Sequence, residues 1–409
     1  MAIQRPSEQN VDPIRTCENI TNPIGFGIIV RTLSIYIALS TMSESSAESA
    51  SSANLWDIAR YVVVAVIAGV LIWYYLLYTP VVYVNREHSG KTMGTDYIVK
   101  VARFPGTDDW QKVAVAIQSR LDTIDKMMST YRHDSEICRF NASSSTEDWF
   151  SVSKETVYVV QTALEISQLT EGAFDVTVAP LVRHWGFGAN GKQQAKSFED
   201  LKSEAVLLKE QTGYEKLLVR LEPPALKKAI PELTIDLSAI AKGFAVDCIA
   251  ELLDEHKIAD YLIEIGGEVR SKGKKDKTKN KDWIVGIERP VPESADQFSG
   301  LQQKLTLKDQ SLATSGSYRQ VLQVEGQFVS HLIDPRTGLP AQIGESANRL
   351  VAAAVIAPNC TRADALATAM FVLGEQKGIE LAYQHGIAVL FLLQNGSEIV
   401  EVPSKNWAK

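Results

Sequence analysis

Between Tyr61 and Val84 the chain carries no charged side chain, and its first part, Tyr61–Tyr78, is apolar and aromatic almost without interruption. At 1.5 Å per residue, Tyr61–Tyr78 extends about 27 Å as a helix, close to the ~30 Å hydrocarbon core of a bilayer. A helix buried in a soluble core should keep a polar stripe, and this segment has none. Tyr and Trp gather toward its C-terminal end, where amphipathic rings prefer the headgroup region, and Pro80 follows where a helix can stop. The run is longer than a signal-peptide h-region and lacks a small-x-small exit, so it predicts a retained single-pass anchor. Its flanking charges, Arg60 before and Arg86 and Lys91 after, do not decide the orientation.

Upstream, Pro23–Ser40 carries Arg31 in its middle, at a cost of ~2.5–3.5 kcal/mol for insertion, so no second span is expected. The Ser/Ala/Glu tract Ser43–Ala53 has too few large apolar groups to fold and reads as a disordered tail, with Met42 an alternative start. The expected division is therefore a tail at 1–60, an anchor at 61–79 and one large domain at 85–409.

That remainder has ordinary globular composition, 45% hydrophobic and 22% charged, which excludes collagen-like, wholly disordered and polytopic membrane readings. A net charge of −7 argues against nucleic acid as a partner. The cysteines Cys17, Cys138, Cys248 and Cys360 form no C-x-x-C pair and signal neither a disulfide framework nor a zinc site.

Hydrophobic periodicity gives a mixed α+β domain. Strands are expected at Thr95–Ala102, Leu233–Leu237, Tyr261–Ile265, Trp283–Ile287 and Leu350–Ile356. Helices are expected at Trp110–Met128, Lys154–Leu169, Ala241–Leu253, Arg362–Val372 and Gly378–His385. A closing hairpin joins Ala388–Leu393 to Glu398–Val402 around Asn395-Gly396. The seven Lys/Arg of Arg270–Lys281 lie between two strands and read as a solvated hairpin loop.

Several short motifs carry chemistry. In Asp236-Leu-Ser-Ala-Ile-Ala-Lys-Gly-Phe-Ala-Val-Asp247 a helix start and Lys242 could hold a phosphate, or Ser238 could simply cap the helix. P-loop glycine spacing is missing. Glu264-Ile-Gly-Gly-Glu268 leads into an extended stretch, not a helix, so its glycines suit a bulge or close backbone approach and not a Rossmann turn. Asp364 and Thr368, four apart on one helical face, could reach one hard cation, while Thr361 and Asp364 also fit a capping box. His331 and Asp334 in His331-Leu-Ile-Asp-Pro-Arg-Thr-Gly338 are candidate acid–base groups or ordinary turn residues. Gly172–Leu181 and Trp185–Gly188 mix aromatics with glycines, which suits a flat heterocycle or plain packing.

Taken in order, eight motifs resemble the ApbE family of FAD:protein FMN transferases, from about Lys91 to Leu393. They are Met93-Gly-Thr95; Ser129-Thr-Tyr131 with Ser135-Glu136 and Arg139-Phe-Asn141; Gly172–Pro180; Asp236–Asp247; Glu264–Glu268; Thr314-Ser-Gly316; His331–Gly338; and Asp364–Thr368. The resemblance implies a single T-fold-like domain that moves FMN from FAD onto a Thr or Ser hydroxyl of an acceptor protein, with Mg²⁺ required and AMP released. It further implies FAD contacts at Met93, Thr130, Tyr131, Ala173, Phe174, Asp175, Lys242 and Ile333. Lys242 departs from the Glu that many relatives have. Metal ligands would be Asp364, Thr368 and the backbone carbonyl of Ala239, with His331 and Asp334 as catalytic groups.

The implied acceptors are flavin subunits of membrane redox complexes such as sodium-translocating quinone reductase and Rnf-type complexes. The implied location is the cytoplasmic membrane with the catalytic domain on the periplasmic or outer side. Many relatives are lipoproteins; here no Cys lies between Cys17 and Cys138, so a retained helix would serve as the tether. The competing reading is a membrane-tethered FAD-binding, electron-transferring protein without transferase activity.

Overall fold

The computed structural model describes residues 53–77, 82–106, 108–189, 191, 196–290, 300–317, 321–341 and 348–407. Met42 and most of the expected N-terminal tail lie outside the described residues. The chain divides into two units, Met1–Pro80 and Val81–Lys409.

In the first unit, helix α1 covers Ala53–Leu77 and so begins before the uncharged run. Its described side chains, at residues 60–73, amount to about 20 Å of helix. Among the described residues no helix is long and apolar enough to cross a membrane.

The second unit is built on an eight-stranded sheet whose spatial order follows chain order. Its strands are β1 (Tyr83–Thr92), β2 (Thr95–Pro105), β3 (Tyr261–Ile265), β4 (Glu268–Lys272), β5 (Ser311–Gly316), β6 (Asn348–Ala357), β7 (Ala388–Asn395) and β8 (Glu398–Pro403). Every neighbouring pair is antiparallel. Helices α2 (Trp110–Met128), α3 (Lys154–Leu169), α4 (Ala241–Glu255) and α5 (Cys360–His385) contribute to one side of the core.

That core joins Ile117, Leu121 and Ile124 of α2 to Ile166, Ile249 and Phe371 of the other helices, and to Val99, Ile263 and Val355 of the sheet. The opposite sheet face, with Val351, Ala354, Leu390 and Leu392, packs under a two-stranded ribbon, Trp283–Glu288 and Leu301–Leu307. The period-2 pattern of β6 therefore has an apolar partner on both faces, which explains its run of small and branched residues. A satellite cluster holds Leu181, Trp185, Phe187, Phe198 and Ile333.

Most expected elements form within a few residues of their sequence limits, and α2 and α3 match them at both ends. The two expected C-terminal helices are the arms of α5, divided at Gly374, whose φ of 80° and ψ of 169° break the helix. Leu233–Leu237 differs: it is extended but joins no sheet. Its alternating Leu233, Ile235 and Leu237 are all fully buried, yet Ile235 pairs with the Asn141 side chain at 2.8 and 2.9 Å, not with a strand. Arg270–Lys281 spans the end of β4 and the connection to the ribbon, with Lys272 paired to Asp254, Lys274 to Asp282 and Lys277 to Asp260.

Candidate active site

Two tight hairpin turns form one rim of the site. Met93 and Gly94 link β1 to β2, and Gly266 and Gly267 link β3 to β4, each as a two-residue turn with both φ values positive. Such turns match strand twist, and glycine adopts them at no steric cost. Met93, at φ 48°, is not a glycine and adopts an uncommon backbone conformation at the edge of the cleft. A Cβ on Gly266 would stand 2.8 Å from Thr95 Cγ2, so the two turns touch only because that side chain is missing.

Below the rim lies a cleft of about 1100 Å³. That exceeds the ~300–1,000 Å³ common for small-molecule sites and suits a ligand as long as a dinucleotide. Residues from all eight motifs line it.

The loop after α2 brings Thr130 and Tyr131. Ser135 fixes this loop by donating to the Ser129 carbonyl at 2.6 Å while its Oγ caps the next short helix through Cys138 N–H. Tyr131 is 69% exposed, presenting a flat ring at the cleft mouth. Thr130 Oγ1 is buried with no hydrogen-bond partner among the described residues. Ala173, Phe174 and Asp175 are buried in the cleft wall. Asp175 accepts from Thr177 N–H at 2.8 Å and from Thr177 Oγ1 at 2.7 Å, yet burial outweighs these bonds and raises its carboxyl to about 6.

The part of the cleft wall made by the start of α4, by β4 and by α5 is charged. Helix α4 starts at Ala241 without a side-chain cap; Ser238 instead donates through N–H and Oγ to Asp236 Oδ1. Ser238 therefore does not cap this helix. The orphan Gly243 N–H at its first turn is taken by Asp364 Oδ2 of α5 at 2.9 Å. A Cβ on Gly243 would overlap the Cys360 carbonyl oxygen, so this glycine permits the close approach of α4 to α5.

The capping-box reading of Thr361 and Asp364 fails in the structure. Asn359 is the N-cap of α5, accepting from Arg362 N–H, and Thr361 Oγ1 donates to Asp247 of α4. Asp364 is thus released from any duty at its own helix end, and at 2% exposure it faces the cleft.

Around Asp364 stand Lys242 and Glu268. Lys242 Nζ lies 2.8 Å from Glu268 Oε1 and 3.6 Å from Asp364 Oδ1. Burial disfavours the ammonium, but the Asp364 and Glu268 carboxylates outweigh it and hold Lys242 protonated, above the ordinary lysine range. Burial pushes the Glu268 carboxyl up, against the pull of Lys242. One turn along α5, Thr368 Oγ1 is 2.8 Å from Ser315 Oγ of β5. The oxygens near Asp364 are hard donors of the kind that suit Mg²⁺. Among the described residues no three His, Cys, Asp or Glu converge on one point, so a cation here needs hydroxyl, carbonyl and phosphate oxygens as well. Asp364, Thr368 and the Ala239 backbone fit that requirement, and all three line the cleft.

His331 enters from the satellite cluster, its ring against Phe187 at 6.2 Å between centroids in an edge arrangement. Ile333 lies behind it, also in the cleft wall. Asp334 does not line the cleft. It accepts from Arg336 through N–H, Nε and a second guanidinium nitrogen at 2.8 to 2.9 Å, holding the turn that ends in Gly338. Glu268 and Ser315 carry no individual role in the sequence reading, although both sit in motifs it singles out; their partners, Lys242 and Thr368, are distant in sequence.

Comparison with known proteins gives a consistent result. Residues 93–391 match the ApbE family. An FAD:protein FMN transferase of Vibrio cholerae is 40% identical over 323 residues, covering 78% of this chain and 90% of the relative. One from Escherichia coli K12 is 36% identical over 312 residues, covering 75% and 84%. The solved flavin transferase ApbE of Vibrio cholerae superposes with a TM-score of 0.69 at 38% identity, covering 80% of this chain and 99% of that one.

Proposed function

The chain belongs to the ApbE family and is an FAD:protein FMN transferase, and we propose that the cleft described above is where it moves FMN from FAD to a hydroxyl of its acceptor protein. One observation carries this reading: residues far apart in sequence, from Met93 to Thr368, line one cleft that combines the aromatic rings of Tyr131, Phe174 and Phe187 with the buried charges of Asp175, Glu268 and Asp364.

Met93, Thr130, Tyr131 and the Ala173–Asp175 wall bind the flavin-bearing part of FAD, with Ile333 behind. Lys242, already protonated, meets the negative charge of the pyrophosphate. The reaction forms a bond from the acceptor Thr or Ser oxygen to the FMN phosphorus and breaks that phosphorus's bond to the bridging oxygen, so AMP leaves with that oxygen. His331 takes the acceptor hydroxyl proton on a ring nitrogen, a transfer for which a neutral imidazole is suited near pH 7. Asp334 acts through the turn it holds with Arg336, which sets where the His331 segment lies. Asp364, Thr368 and the Ala239 carbonyl would hold Mg²⁺, which when bound would supply positive charge against that developing on the phosphates.

The proposed tether rests on the sequence run Tyr61–Tyr78, and the location proposed from the family resemblance is the cytoplasmic membrane with the catalytic body on the outer side. Flavin subunits of membrane redox complexes of the sodium-translocating quinone reductase and Rnf types are the acceptors that such a location favours. Incubating the full chain with FAD, Mg²⁺ and a candidate acceptor should give an acceptor heavier by FMN in mass spectrometry, with AMP formed in equal amount. FAD consumed without mass gain on a verified acceptor would overturn this assignment of the cleft. Alkaline extraction of membranes should leave the chain in the pellet; its release would remove the tether.

A further inference from the structure

Glu268 and Asp364 are both almost fully buried, at 3% and 2% exposure, and share one described cation, Lys242. The sharing is unequal. At 2.8 Å the contact with Glu268 Oε1 is a charge-assisted hydrogen bond, whereas 3.6 Å to Asp364 Oδ1 is beyond hydrogen-bonding range. Glu268 Oε2 is buried with no hydrogen-bond partner among the described residues. Keeping half a carboxylate unsatisfied in the interior costs free energy, and its one ion pair among the described residues is with Lys242.

The placement is built into the backbone. Glu268 is the first residue of β4, directly after the Gly266–Gly267 turn, and that turn is tied down by Gly267 N–H donating to Glu264 Oε1 at 2.7 Å. A Cβ at Gly266 would come within 3.3 Å of Lys242 Cδ, so the same glycine leaves a path for the lysine stem. Asp364 meanwhile has Oδ2 committed to Gly243 N–H and turns Oδ1 toward Lys242. Were Glu268 uncharged, that Oδ1 would be the remaining partner for the ammonium.

We propose that Glu268 is a positioning residue for the cation site: it draws the Lys242 ammonium away from Asp364 and so keeps Asp364 Oδ1 available to a divalent cation. The inference rests on the reading that Asp364 holds such a cation. Ammonium and metal compete for one carboxylate oxygen, and Glu268 decides the competition by offering the ammonium a better partner. The device also keeps Lys242 in the cleft, where its charge faces the substrate phosphates without occupying the metal's place.

The test is a double-mutant cycle on metal binding alone. Mn²⁺ affinity of the full chain, without FAD or acceptor, is measured by paramagnetic resonance of free Mn²⁺ and competed with Mg²⁺. The proteins are wild type, Glu268→Gln, Lys242→Gln, the double variant and Asp364→Ala. Glu268→Gln should weaken Mn²⁺ binding roughly ten- to a hundredfold, as outer partners of metal ligands do. Lys242→Gln should bind at least as tightly as wild type, and adding Glu268→Gln to it should change nothing further. Equal weakening by Glu268→Gln with and without Lys242 would overturn the proposal, since Glu268 would then act on the metal directly. Unchanged binding in Glu268→Gln while Asp364→Ala abolishes it would overturn the proposal and leave the Asp364 site standing. Binding that survives Asp364→Ala would remove the site itself. Should Glu268→Gln fail to fold, Glu268→Asp is read instead; it keeps the charge with a shorter reach, and an intermediate loss that vanishes in the Lys242→Gln background is expected.

Discussion

Thr361 Oγ1 donates to Asp247 Oδ2 at 2.6 Å, and through this bond a side chain of α4 takes over the start of α5. The same carboxylate accepts from Cys360 N–H at 2.9 Å and Thr361 N–H at 2.8 Å, and it is paired with Arg270. Orphan donors at a helix N-terminus favour a carboxylate. Asp247 therefore locks the two helices in the register that brings Gly243 N–H to Asp364.

Replacing Asp247 by Ala leaves two buried N–H groups and the Arg270 guanidinium without their partner. The expected cost is about 3–5 kcal/mol, as for a buried pair broken on one side. Chemical denaturation of wild type and variant measures it. A loss below ~1 kcal/mol would mean that water replaces the carboxylate and that the register of α4 on α5 is held elsewhere.

Gly243 makes the complementary prediction. Ala at this position must push α4 away from the Cys360 carbonyl and from Asp364, where the added Cβ would stand 2.8 Å from Asp364 Cβ. Overpacking of this kind costs about 1–3 kcal/mol. The variant should also need more Mg²⁺ for half-maximal transfer, because the Gly243–Asp364 bond lengthens. An unchanged Mg²⁺ requirement would show that Asp364 is positioned without this hydrogen bond.

Much of this arrangement was legible in the sequence, and the failures have physical causes. The 3.6-residue period of Val113, Ile117, Leu121 and Ile124 fixed α2 because one buried stripe suffices to specify a helix. Leu233, Ile235 and Leu237 were equally periodic, and burial followed the pattern, but a strand also needs a neighbour. That neighbour proved to be the side chain of Asn141, which no local period encodes. The spacing of Thr361 and Asp364 satisfied a capping box, yet Asp247, from a different helix, outcompeted the local solution. Glu268 went unassigned for the same reason: its meaning lies in Lys242, on another element.

His331 should separate catalysis from binding. His331→Ala removes a proton acceptor from the cleft while leaving the Met93, Phe174 and Asp175 surfaces intact. Transfer to the acceptor should fall about 10²- to 10⁴-fold, with FAD affinity measured by flavin fluorescence changing little. If AMP formation and acceptor mass gain continued at the wild-type rate, His331 would have no part in the proton transfer.

Asp364→Ala removes the carboxylate proposed to hold Mg²⁺ and should abolish transfer at every Mg²⁺ concentration, while far-ultraviolet circular dichroism stays that of wild type. Activity recovered at high Mg²⁺ would instead assign the cation to other oxygens.

The buried carboxyl of Asp175 gives the chain a pH dependence of definite sign. Its folded pKa is raised to about 6 from an ordinary 3.8, chiefly by burial. Between those values the folded chain retains a proton that the unfolded chain has lost, so stability contributed by this group falls as pH rises through the window. Above pH 6 the loss is complete, at up to about 3 kcal/mol from 1.36 kcal/mol per pKa unit. Asp175→Asn keeps an acceptor for Thr177 N–H and Oγ1 but cannot ionise. The variant should therefore gain stability relative to wild type as pH rises from about 4 to 6 and hold a constant margin above that. Parallel stability profiles for the two proteins across this range would mean that the carboxylate is solvated or paired when charged, and that the wall of the cleft at Asp175 is open to water.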